Sequence, residues 1–126
     1  MSMQLRDSAL LRTQAYIDGQ WMDAESGRRF EVRNPADGSV IAHVPDMGAA
    51  ETRRAIAAAE AALPGWRART AKERATVLRR WFELIMANQE DLAVLMTAEQ
   101  GKPLAEARGE VAYGASFIEW LSLIHI

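Results

Sequence analysis

The chain has 126 residues, of which 49% are hydrophobic and 25% charged, as expected for one globular domain or part of one. Its formal net charge of −2 gives no general attraction to nucleic acid or to an anionic membrane. The absence of cysteine excludes a disulfide framework, a thiolate nucleophile and a cysteine-ligated metal. No stretch resembles a secretory signal or a membrane span, so we expect a cytoplasmic protein with neither nucleic acid nor membrane as a partner.

Strand and turn signals occupy the first third of the chain. The dipeptide Asp18-Gly19 suits the positive φ angles of a type I′ turn, and Tyr16, Ile17 and Trp21 suit the strands beside it. Residues 35–38 are of types that favour a turn, and they lie between the strand-like segments 30–33 and 40–44. These patterns predict two antiparallel hairpins within residues 15–45.

Helical patterns follow Gly48, where alanine, glutamate and arginine become frequent. Residues 49–63 are predicted to form the first helix, which Pro64 and Gly65 end or kink. Thr70 and Glu73 fit a capping box at the start of a second helix. Residues 88–91 signal the start of a third, and the corner at residues 99–103 ends it, since Gly101 can adopt left-handed angles and Pro103 suits a first helical turn.

Apolar spacing predicts which helix faces are buried. The first helix has one apolar stripe, and the second is expected to bury a wide face; the last helix is apolar on two faces. A helix that is apolar on two faces is expected to be packed on both sides, so the chain is predicted to be part of a larger body. The stripe in the first helix consists of Ile56, Ala59 and Leu63. The face in the second helix consists of Val77, Leu78, Trp81, Leu84 and Ile85. In the last helix, one face consists of Leu104, Ala107, Val111, Ala115 and Ile118, and the other consists of Tyr113, Phe117 and Trp120.

Few residues suggest chemistry by themselves. His43 and His125 have no second ligand or nucleophile at a suitable position, which favours surface or edge positions for both. Glu106 and Glu110 share a helical face, as charges on solvated helices commonly do. Lys102 is interpreted as an exposed, protonated corner residue. The residues alone therefore predict an α+β scaffold and no reaction.

As a whole, residues 5–120 resemble the N-terminal part of an NAD(P)-dependent aldehyde dehydrogenase. The resemblance rests on YIDGQW at residues 16–21, NPADG at 34–38, TAKERA at 70–75, EQGKPLAEA at 99–107 and FIEW at 117–120. The sequences of the last three motifs favour the succinate-semialdehyde branch of this family. The implied fold class is α/β, of which this chain would supply an α+β part, with hairpins at 15–45 and helices at 49–120 but without the Rossmann-type sheet and the catalytic domain.

The resemblance implies that the full-length enzyme oxidises succinate semialdehyde to succinate with NAD or NADP, in the breakdown of 4-aminobutyrate. It also implies a small-molecule aldehyde as partner and a homodimer or homotetramer. In the family pattern the cysteine nucleophile, the glutamate that activates water and the cofactor site all lie beyond Trp120. This chain is therefore expected to bind no cofactor and to be inactive alone, with no catalytic residue of its own. Another aldehyde dehydrogenase, or a stand-alone helical interaction module, is the alternative.

One possible metal site follows from the same resemblance. Relatives hold a monovalent cation through a backbone carbonyl and an acidic side chain at the positions matching Val32 and Glu99, and oxygen ligands of this kind suit a hard cation. The alternative is that Glu99 is an exposed residue in the last turn of its helix.

Residues 121–126 depart from the family pattern, which continues with a charged helix. Their sequence LSLIHI is the in-frame translation of CTGTCTCTTATACACATC, which resembles a transposon adapter used in sequencing libraries. We expect an adapter-derived tail, and resequencing the locus would refute this if the genomic stop follows Ile126. The alternative is a genuine hydrophobic tail that packs on the exposed face of the last helix.

Overall fold

The computed structural model describes residues 3–124, which form two small sheets and then four helices after a 3-10 turn at Ser8–Leu10. The predicted α+β order is confirmed. The strands pair as antiparallel hairpins, β1 (Ala15–Ile17) with β2 (Gln20–Met22) and β3 (Arg29–Arg33) with β4 (Val40–Pro45). The helices are α1 (Ala49–Ala68), α2 (Ala71–Ala87), α3 (Gln89–Gln100) and α4 (Leu104–Leu123).

The described residues divide into two compact units. Residues 3–10 and 69–124 form the helical unit, which contains α2, α3 and α4. Residues 11–68 form the hairpin unit, which contains the four strands and α1. In residues 3–124 no helix combines the length and the apolar character needed to cross a membrane.

The first hairpin has the predicted turn. Asp18 and Gly19 have φ angles of 51° and 76°, which a two-residue type I′ connection requires. Tyr16 pairs with Trp21 across the strands, and their ring centroids are 5.0 Å apart. The guanidinium of Arg12 lies 4.8 Å from the Trp21 ring centroid, a cation–π distance. Local sequence and cross-strand contacts therefore agree on this register.

The second hairpin turns at Asn34, whose side chain and backbone organise the loop. Its Oδ1 accepts the Ala36 N–H at 2.9 Å, and its carbonyl accepts the Gly38 N–H at 2.8 Å. Gly38 has a φ of 73°, which glycine adopts without the steric cost of a Cβ. Hydrogen bonds from the Ser39 hydroxyl and backbone N–H lower the pKa of Asp37 in the same turn.

The sequence predicts that Pro64 and Gly65 either end or kink helix α1. The helix does not end there. It continues to Ala68, with Pro64 inside. A proline removes one backbone donor and so leaves the carbonyl four residues earlier without its helical partner. Because residues 60–68 are all exposed, water can hydrate that carbonyl, and the helix continues. The predicted stripe of α1 is also exposed, with Ile56 at 62% and Leu63 at 48%.

Helix α2 begins with the predicted capping box. The Thr70 hydroxyl oxygen accepts the Glu73 N–H at 3.3 Å, and Glu73 Oε2 accepts the Thr70 N–H at 2.7 Å. The hydrogen bonds from the Thr70 hydroxyl and backbone hold the pKa of Glu73 below its usual value. Both backbone donors at this helix start are thereby satisfied.

The prediction that α2 buries a wide face is wrong. Leu78 and Ile85 are half-buried, but Val77, Trp81 and Leu84 are between 44% and 54% exposed. Helix α2 packs mainly on α4, and one neighbouring helix covers only a narrow stripe of its surface. The remaining apolar residues of α2 stay in contact with solvent.

The core of the helical unit lies where α3 meets α4. Ala93 and Ala107 have no exposed surface, and Val111 is 8% exposed. Ile85 and three other half-buried side chains pack around them: Leu92, Met96 and Leu104. Two facing alanines permit a close helix approach because neither extends beyond its Cβ.

Candidate functional site

The corner at residues 99–103 separates α3 from α4, as predicted. Helix α3 closes at Gly101, whose φ is 78° and whose N–H donates to the Thr97 carbonyl at 2.9 Å. Pro103, with φ −56°, then stands directly before α4. Glycine is favoured at the left-handed position, as predicted, but Pro103 is not in the first helical turn, because its ψ of 139° is non-helical and α4 begins at Leu104.

The interpretation of Lys102 as an exposed residue is wrong. Its side chain is only 19% exposed, and its ammonium forms an ion pair with Glu110 of α4. Glu110 therefore has a defined partner, while Glu106 lies exposed one turn earlier. The two glutamates do not form an isolated acidic pair, because a lysine neutralises one of them.

The two residues predicted to bind a cation lie in different units. Val32 is half-buried in β3, where it pairs with Ala42, and Glu99 is exposed in the last turn of α3. Across residues 3–124, no group of three or more histidine, aspartate and glutamate side chains is arranged to hold a metal ion. The cation role of Val32 and Glu99 stays a prediction.

His43 lies at an exposed position of the second hairpin. His43 has a side chain that is 58% exposed, and its Nε2 lies 3.6 Å from Oε1 of Glu31, its cross-strand partner. It is an edge residue of the second hairpin, as interpreted. His125 lies outside the residues that the structure describes.

Two buried carboxylates each bind at least one backbone donor that is distant in sequence. Glu51, 4% exposed, accepts the Glu25 N–H on Oε1 and the Gly48 N–H on Oε2, each at 2.8 Å. It thereby joins the loop after β2 to the start of α1 within the hairpin unit. The sequence alone does not distinguish Glu51, because glutamate in a first helical turn is also common on exposed helix ends.

Asp91 has the equivalent role in the helical unit. It is 4% exposed, and its two oxygens accept the backbone N–H groups of Arg6 and Asp7, each at 2.9 Å. These hydrogen bonds, followed in importance by the nearby charge of Arg6, hold the pKa of Asp91 below its ordinary value of 3.8. Its stabilising contribution is therefore complete above that value and is lost as the pH falls through the lower pKa of the folded state.

A forked ion pair joins α3 to α4. Arg108 donates from Nε and from a terminal nitrogen to the two oxygens of Glu90, both at 2.7 Å. The hydrogen bond from Arg108 lowers the pKa of Glu90 and, reciprocally, raises that of Arg108. Gln89 adds a 3.0 Å bond to the Arg108 carbonyl. The planar guanidinium fixes the relative rotation of the two helix ends more narrowly than a lysine could.

Helix α4 has the two apolar faces that were predicted. Ala107, Val111 and Ala115 are buried, whereas the opposite face is exposed: Tyr113 67%, Phe117 53% and Trp120 63%. Tyr113 and Phe117 stack edge to face with centroids 4.9 Å apart. Residues 121–123 extend α4 as helix rather than fold back over it, and Leu121 and Leu123 add to its exposed apolar surface.

Comparison with known proteins identifies the family. The sequence model of the aldehyde dehydrogenase family matches residues 21–123. Glutarate-semialdehyde dehydrogenase of Pseudomonas aeruginosa is 67% identical over 94% of this chain and 24% of its own. Succinate-semialdehyde dehydrogenase [NADP(+)] of Escherichia coli is 62% identical over 95% of this chain and 25% of its own.

A solved structure gives the same result for the fold. The crystal structure of succinate-semialdehyde dehydrogenase from Burkholderia pseudomallei superposes with a TM-score of 0.92 and 61% identity over 94% of this chain and 25% of the other. The chain thus spans about a quarter of the length of the relatives it matches. The hairpins, the helices and the corner at residues 99–103 belong to a chain of the aldehyde dehydrogenase family.

Proposed function

We propose that this chain serves as the N-terminal part of an NAD(P)-dependent oxidoreductase that oxidises a semialdehyde of a dicarboxylic acid. The observation that carries the proposal is similarity over nearly the whole chain to relatives named for two such substrates. Succinate and glutarate semialdehydes both combine an aldehyde with a carboxylate and differ by one methylene. Because both relatives are highly similar, the substrate is proposed as this class rather than as succinate semialdehyde alone.

In the proposed reaction, residues outside this chain perform the chemistry. A cysteine thiolate adds to the aldehyde carbon, hydride leaves that carbon for NAD+ or NADP+, and water releases the acid from the thioester. This chain has no cysteine and so cannot form the thioester. Its contribution is a rigid scaffold, in which the close α3–α4 contact and the capped α2 fix the positions of three helices.

A chimera tests this scaffold role. Residues 1–120 of this chain would replace the matching segment of the Escherichia coli and Pseudomonas aeruginosa relatives, with both unmodified enzymes as controls. We expect each chimera to form NAD(P)H and to keep the substrate preference of its host, because the reacting groups come from the host. The 126-residue chain alone should show no NAD(P)H formation with either semialdehyde.

Two results would contradict the proposal. Turnover by the isolated chain would show that it needs no other segment. Soluble but inactive chimeras from both hosts would show that this segment cannot replace its counterparts. A stand-alone interaction module would instead appear as a soluble monomer that unfolds cooperatively and binds a defined partner.

The predicted cation role of Val32 and Glu99 can be tested in the same chimeras. Glu99→Gln removes the carboxylate charge that favours a monovalent cation, so we expect K+ to raise the melting temperature of this variant less than that of the parent chimera. Glu106→Gln removes an exposed carboxylate elsewhere and is the control. If K+ raised the melting temperature of Glu99→Gln as much as that of the parent chimera, Glu99 would be an exposed residue of the helix end and would not bind the cation.

A further inference from the structure

The N-terminal segment, residues 3–10, is held on the helical unit by polar bonds as well as by partial burial. This segment is called the strap below. None of its residues is buried, and its most covered apolar side chains, Met3, Leu5 and Leu10, are only half-buried. Apolar burial is therefore incomplete at every position of the strap. A second source of stability is polar.

Asp91 supplies that source. This residue lies in the first turn of α3 and is 4% exposed, yet its partners are backbone groups 84 and 85 residues earlier in the chain. A single carboxylate accepts both N–H groups, so both bonds are lost together when the strap moves away. Bonds from backbone donors to a charged acceptor are stronger than those between neutral groups.

The strap has an internal turn that does not depend on α3. Asp7 Oδ1 accepts the Ala9 N–H at 2.9 Å, and the Asp7 carbonyl accepts the Leu10 N–H at 3.2 Å. The strap can therefore keep this turn when it leaves α3. The charges near the Asp91 carboxylate are the Arg6 guanidinium on the strap and the Glu90 carboxylate on α3, and Arg108 of α4 pairs with that glutamate.

We propose that Asp91 is a latch that holds the strap on α3, and that the strap opens as a local unit while the α3–α4 core stays folded. The opened state exposes residues 3–10 and frees the Asp91 carboxylate to water. Segments with few buried contacts open at a lower free energy than the core to which they are attached, which is the behaviour expected here.

Amide hydrogen exchange of the full chain at neutral pH measures the latch directly, because the bonded donors are the Arg6 and Asp7 amides. Asp91→Asn keeps one acceptor oxygen and Asp91→Ala keeps none. We expect protection of these two amides to fall by about tenfold in Asp91→Asn and by about a hundredfold in Asp91→Ala. Protection of the buried Ala107 and Val111 amides should change much less.

Asp7→Ala is the matched control, since it breaks the internal turn but keeps both backbone donors, and it should change protection of the Arg6 amide by less than about threefold. Unchanged protection in Asp91→Ala would overturn the proposal. The wild-type chain gives an independent test if a variant fails to fold. If its Arg6 and Asp7 amides exchange with the same free energy and denaturant dependence as the core amides, the strap has no local opening and the latch is refuted.

Discussion

Ala107→Leu is expected to lower the free energy of unfolding of the helical unit by about 2 kcal/mol, the usual range for overpacking being about 1 to 3. Ala107 has no exposed surface and lies in a cluster with Ala93 and Val111. A leucine side chain at this position has no free volume to enter, so α3 and α4 must separate or adopt strained rotamers. Thermal unfolding followed by circular dichroism should show a fall on the order of 10 °C.

Ala105→Leu is the control for this prediction. Ala105 lies two residues earlier on α4 and is exposed, so a larger side chain meets solvent there. Both substitutions change helix propensity equally, and the exposed one should alter stability by less than about 0.5 kcal/mol. Equal effects of the two variants would mean that the α3–α4 contact is loose enough to accept a leucine.

Glu51→Ala is expected to destabilise the hairpin unit by about 2 to 4 kcal/mol, because it leaves two backbone donors without an acceptor. Glu51 is 4% exposed and is the acceptor for the Glu25 and Gly48 amides. Hydrogen exchange should show loss of protection at these amides and along β3 and β4. Glu51→Gln should have a smaller effect, since its amide oxygen can still accept one of the two bonds.

Glu60→Ala provides the matched comparison within α1. Glu60 is exposed in the same helix, and its loss leaves no buried donor unpaired, so the change should stay below about 0.5 kcal/mol. If Glu51→Ala were no more destabilising than Glu60→Ala, the buried carboxylate would be replaceable by water. The position of the loop after β2 would then depend on other contacts.

The features of the fold that could be predicted from sequence depend on few neighbouring residues. Three features follow from backbone preferences or side-chain hydrogen bonds over two to four positions: the turn at Asp18-Gly19, the capping box at Thr70 and Glu73, and the left-handed Gly101. The end of α1 was predicted less well because Pro64 costs a helix one hydrogen bond but does not forbid it. Whether the helix continues depends on whether water reaches the unpaired carbonyl.

Burial was harder to predict than helix position. Apolar spacing gave the same signal for Trp81 and Leu84 of α2 as for Val111 of α4, yet the first two are exposed and the third is buried. Periodicity shows that a face is apolar, but only the neighbouring elements decide whether anything covers it. The same reason explains Lys102, whose ion-pair partner Glu110 comes from the next helix.

By itself, the sequence determined the order of hairpins and helices, the corner at residues 99–103 and the family resemblance carried by its motifs. Only the tertiary structure showed that Asp91 binds the backbone of Arg6 and Asp7, and that Glu51 binds that of Glu25. Local preferences act between residues a few positions apart and can be inferred from sequence. The partner of a buried carboxylate depends instead on which distant segments the folded chain brings within 3 Å, roughly the length of a hydrogen bond.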